Sequence, residues 1–72
     1  VKAEAAMLGM PVRVVSGDHE GRAGHIVHLA YPVASYTDPE MYAIVRYSEK
    51  DEDGNARTDE IALPVRRLEK TQ

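Results

Sequence analysis

From residue 11 onward, apolar and polar residues alternate in short windows. In PVRVV, residues 11–15, Val12 and Val14 fall on one face of an extended segment, with Arg13 and Val15 on the other. Pro11 suits the first position of a strand, where its missing N–H costs no ladder bond. HIVHLA, residues 25–30, predicts a second strand, and MYAIVRY, residues 41–47, predicts the third and strongest. ARTDEIAL, residues 56–63, predicts a fourth, and a tight turn begun by Pro64 leads into a short fifth strand through Leu68. Turn formers fill the gaps: SGDHEGRAG before the second strand, YPVASYTDPE before the third, and SEKDEDGN, with Asp53-Gly54-Asn55 near its tip, before the fourth. The prediction is all-β: a small five-stranded antiparallel barrel over residues 11–70, with a short 3-10 turn before the last strand. Closing the sheet would remove edges that invite aggregation.

Two details of the pattern set conditions. Ile26 and Leu29 are three apart, so both can face inward only if a bulge interrupts the second strand near Val27 and His28. In MYAIVRY, an inward Ala43, Val45 and Tyr47 leaves Tyr42 and Ile44 facing outward, where something must cover them. Residues 1–10, VKAEAAMLGM, favour helix up to Gly9 but are too few to hold one alone, and read as a loosely ordered tail or linker remnant. The chain starts at Val1 rather than at a methionine, as a trimmed chain or a piece of a longer protein would.

Composition narrows the functional classes. The 72 residues contain no Phe, Trp or Cys, so the core is lean and neither disulfides nor thiolate metal sites are available. Lean small domains are stabilised by tight packing or by association. A formal net charge of −3 disfavours nucleic acid held by general electrostatics. No apolar run approaches a membrane span and no signal peptide is recognisable, which makes the cytoplasm the expected compartment.

The stretch VRVVSGDHEGRAGHIV, with Gly17, Gly21 and Gly24, is similar to the KOW-type signature of small SH3-like barrels. A longer resemblance to the plasmid-borne type II dihydrofolate reductases runs through Gly9-Met10, Val12-Arg13, Ser16-Gly17, Gly24, Ile26-Val27, Pro39-Glu40, Tyr42-Ala43, Ile61, Pro64-Val65 and Leu68-Glu69. It implies an SH3-like barrel with a habit of self-association. The chemistry does not carry over. That family has a Gln-Ile-Tyr run directly before the Pro-Val of the last turn, where this chain has Ile61, Ala62 and Leu63, and lysines before its Ser-Gly, where this chain has Val14 and Val15.

Candidate chemistry is sparse. His19, His25 and His28 are clustered, but His25 and His28 point to opposite faces of a regular strand, and no metal site is expected. The acidic turn lacks the ligand spacing of a calcium loop. Ser16 and Ser48 have no nucleophile-elbow context, and the glycine spacing is not that of a phosphate loop. No catalytic residue and no cofactor are expected. The candidate binding surface is Asp18, His19, Arg22 and His25 from the glycine loop and its exit, with Tyr31, Tyr36, Tyr42 and Ile44. The leading expectation is a non-catalytic interaction or self-association module with a protein partner or itself. The alternatives are a KOW-type nucleic-acid module and, last, a type II reductase-like enzyme.

Overall fold

A computed structural model of the chain describes residues 1–30 and 40–71. Five strands run in chain order: β1 (Pro11–Val14), β2 (Ala23–Ala30), β3 (Tyr42–Lys50), β4 (Ala56–Pro64) and β5 (Leu68–Lys70). All pairings are antiparallel, and the sheet order is β4-β3-β2-β1-β5. A 3-10 turn, Val65–Arg67, precedes β5 as the sequence predicts. No helix among the described residues is long and apolar enough to cross a membrane.

The short connection between β4 and β5 shows how the sheet is shaped. These two strands are its opposite edges, which in a flat five-stranded sheet would lie roughly 19 Å apart. The three residues of the 3-10 turn span about 6 Å. The sheet is therefore rolled, and its inner face encloses one core. Val12 and Val14 from β1, Ile26 from β2, Ala43 and Val45 from β3, Leu63 from β4, Val65 from the turn and Leu68 from β5 form that core, none more than 5% exposed. β1 and β3 supply the faces their alternation predicts.

The boundaries move for physical reasons. β2 begins at Ala23 instead of His25, because Gly24 can lie flat against β3. A Cβ on Gly24 would fall 2.1 Å from the Arg46 carbonyl oxygen. β3 runs on through Ser48, Glu49 and Lys50, residues of low strand preference, because their backbones pair with Thr58, Arg57 and Ala56. Beyond them Asp51 organises the turn. Its Oδ1 accepts from the backbone N–H of Asp53 and of Asn55, each at 2.9 Å, and Gly54 takes a φ of +80°. The acidic run is thus partly a turn-building device.

The bulge sits where the pattern requires it. Ile26 pairs with Val45 and His28 with Ile44, leaving Val27 as the extra residue. Ile26 is fully buried, and Leu29 packs against the same core.

Residues 1–10 contain only one short 3-10 turn, Ala3–Ala5. Ala3, Ala6 and Met10 pack against the core. The Gly9 N–H donates to the Ile26 carbonyl at 2.7 Å, and the Ile26 N–H to the Met10 carbonyl at 3.0 Å. Met7 and Leu8 remain 65% exposed.

Candidate functional site

The loop between β1 and β2 closes tightly on itself. The Val14 N–H donates to the Arg22 carbonyl and the Gly21 N–H to the Val14 carbonyl, both at 2.8 Å. Within it Gly17 has a φ of +90°, a backbone state that disfavours any side chain. The same glycine makes room for a partner from the far end of the chain. A Cβ at Gly17 would lie 2.9 Å from Nη1 of Arg67, so the guanidinium rests directly over the loop backbone. The Val15 N–H donates to the Arg67 carbonyl at 2.9 Å and fixes the two segments together.

A cleft of about 240 Å³ opens at this junction. Ser16, Asp18 and His19 line one side, Arg66 and Arg67 another, and Tyr42, Ala62 and Pro64 the strand side. Arg66 is ion-paired with Glu40. Arg67 makes no ion pair among the described residues. The cleft therefore joins a phenol ring and an apolar strip to a guanidinium, an imidazole and a carboxylate.

The structure brings together three of the sequence candidates: Asp18, His19 and Tyr42. It places Arg22, His25 and Ile44 elsewhere. Arg22 leaves the loop on the opposite side, with its guanidinium 4.5 Å from the centroid of the Tyr47 ring, and donates to Glu49 Oε2 at 2.6 Å. The Glu49 hydrogen bond raises the Arg22 pKa above its ordinary value, with desolvation pulling the other way. Tyr31 and Tyr36 lie outside the described residues. His25 and Ile44 stand on the outer face of the sheet and do not line the cleft.

The bulge at Val27 changes the reading of the histidines. His25 lies opposite Arg46 and His28 opposite Ile44, positions two apart on β3, so both histidines share the outer face. Among the described residues, no three His, Asp or Glu side chains gather to hold a metal ion. The outer face carries instead a row across three strands. His28, Ile44 and Ala62 are neighbours in register, with Ala30, Tyr42 and Pro64 in the next row. Beyond them Arg46 binds Glu60 through two nitrogens, at 2.6 and 2.9 Å. Tyr42 and Ile44 are half-buried, whereas Ala43, Val45 and Tyr47 between and beyond them are buried. The alternation expected for this strand is the one observed.

Sequence reasoning missed Ser16, Arg66 and Arg67 as cleft residues. The turn after Pro64 was legible, but nothing local indicates that it closes onto Gly17. The chain matches no protein-family model, no curated protein and no solved structure.

Proposed function

We propose that this chain is a non-catalytic SH3-like barrel that works through protein contacts, with a second copy of itself as the first partner. The observation that carries the reading is the outer face of β3. Tyr42 and Ile44 stand opposite the core, in register with His28, Ala62 and Pro64, and Tyr42 continues into the cleft beside His19 and Arg67. An aromatic ring with a polar tip at the rim of a mixed cleft is a favourable contact group. The lean core supports the same reading, because association adds burial that one copy cannot supply.

Sedimentation velocity across a wide concentration range, at neutral pH, tests it. The expected result is reversible assembly that grows with concentration. A clean monomer at every concentration would overturn the self-association reading.

A second reading is supported by Arg67, whose guanidinium lies over the glycine loop without an ion pair among the described residues. A KOW-type module would contact a phosphate backbone there. Asp18 in the same cleft and the net charge of −3 act against it. It requires that RNA or DNA shift the amide resonances of residues 16–25 at low salt, with affinity falling steeply as salt rises.

A further inference from the structure

β4 is an edge strand of nine residues, and its first half extends beyond the core. The hydrogen-bonding phase of this edge can be fixed at both ends of the β3–β4 ladder. At the turn, the Asp51 N–H donates to the Asn55 carbonyl; at the other end, the Val65 N–H donates to the Met41 carbonyl. In an antiparallel pair, bonded positions recur every second residue. Both ends therefore assign the backbone groups of Arg57, Asp59, Ile61 and Leu63 to β3. Those of Ala56, Thr58, Glu60 and Ala62 point away from the sheet. An independent contact agrees: the Glu60 N–H is taken up by the carboxylate of the preceding residue, Asp59, at 2.8 Å, as befits an amide with no ladder partner among the described residues.

We propose that this edge pairs with the same edge of a second copy, antiparallel and centred on Thr58. The inference rests on the self-association reading above and adds a second surface to it, the β4 edge, separate from the Tyr42 and Ile44 face. At that centre, Thr58 exchanges both backbone bonds with the partner's Thr58, and Ala56 does the same with the partner's Glu60. All of these groups are the outward-pointing ones. Arg57 then falls opposite the partner's Asp59, in the closer, non-bonded type of pair, and the two-fold axis repeats that contact. Arg57 makes no ion pair among the described residues, so it is available. The Asp59 carboxylate leaves its own Glu60 N–H, which the partner's Ala56 carbonyl then receives. Glu60 keeps its side-chain pair with Arg46 on the outer face.

Neighbouring centres fail on charge. A two-fold axis at Arg57 sets arginine against arginine. One at Asp59 sets aspartate against aspartate, and one at Glu60 sets glutamate against glutamate. Like charges directly opposite destabilise a pair of strands. Across residues 57–60, Thr58 is the centre that matches opposite charges and leaves no like charges facing. Such an isologous contact closes as a dimer and consumes both edges at once. It also answers the hazard of a long unprotected edge.

Sedimentation equilibrium on the whole chain tests the pairing. Thr58→Pro removes an outward N–H without touching a β3 bond and suits an edge strand, so the chain stays folded by circular dichroism while dimerisation is lost. Arg57→Asp and Asp59→Arg each place like charges across the axis twice and weaken dimerisation by about tenfold or more. The double variant restores it. The two single variants, mixed, form a heterodimer in preference to either homodimer. If the wild-type chain assembles and these variants assemble equally well, the Thr58 pairing is wrong and self-association through another surface stands. A wild-type chain that stays monomeric at all concentrations overturns both.

Discussion

Along the β3–β4 ladder, Ala43, Val45, Tyr47 and Leu63 are each at most 6% exposed, whereas Ser48, Glu49, Lys50, Ala56, Arg57 and Thr58 are all exposed. The register is unbroken from Tyr42 opposite Pro64 to Lys50 opposite Ala56. One half therefore has hydrogen bonds and a core behind it, and the other has hydrogen bonds with almost nothing behind them. Backbone pairing alone contributes little net stability in water, since the unfolded chain makes equivalent bonds to solvent. A two-stranded ribbon is marginal without a packed face. The outer half persists because it continues a register already fixed by the core and because Asp51 closes its turn. Its freedom from packing also leaves its edge available to a partner.

The largest effect expected from this contrast is the difference between two substitutions in the same strand, one at a buried position and one at an exposed position. Leu63→Ala empties a core position and costs about 2–5 kcal/mol of unfolding free energy. Thr58→Ala changes stability by about 0.5 kcal/mol or less, because its side chain contacts no core. Urea unfolding of the two variants checks this, read at concentrations below any association. Equal losses would mean that the outer half belongs to the cooperative core after all.

A second substitution acts where β2 lies close against β3. Gly24→Ala places a Cβ 2.1 Å from the Arg46 carbonyl oxygen and 3.1 Å from the Tyr47 Cα, both backbone atoms that cannot swing aside. β2 must separate from β3 at the junction of the two halves. The expected cost is about 1–3 kcal/mol, the range for overpacking. It should appear with faster amide exchange from Tyr47 outward and little change at Ala43. A neutral Gly24→Ala variant would show that the approach is looser than these distances state.

The sequence made the core legible because each strand's inward face follows from strict alternation. Val12 with Val14, and Ala43 with Val45 and Tyr47, need no tertiary information. For the second strand the alternation states only a condition, that Ile26 and Leu29 cannot both face inward without a bulge, and pairing with β3 settles the register. The length of β3 was not. Ser48, Glu49 and Lys50 carry no strand signal, and only pairing with β4 makes them extended. The cleft was half legible. A glycine loop marks Asp18 and His19, and parity marks Tyr42. Arg66 and Arg67 reach that loop through the edge-to-edge turn, a closure that no local pattern encodes. Arg22 shows the converse: its place in the loop suggested a binding group, while its side chain lies over Tyr47 and holds Glu49.

That Arg22 contact is the side-chain tie between the β1–β2 loop and the outer half of the ladder, and its removal is the smallest effect expected. Arg22→Met keeps an apolar stem over the Tyr47 ring and deletes the ion pair with Glu49, whose two side chains are 35% and 48% exposed. Global stability should barely change, because exposed ion pairs contribute little and salt screens them. The local consequence is more informative. Without the tie, amides of Glu49 and Lys50 should exchange faster than in the wild-type chain, while those of Ala43 and Val45 keep their protection. High salt should bring the wild-type chain toward the variant. If the two chains differ as much at high salt as at low, Arg22 acts through the guanidinium over the Tyr47 ring rather than through Glu49. The outer half would then be anchored at the ring that ends the core, and the boundary between the two halves would move outward by one pair of residues.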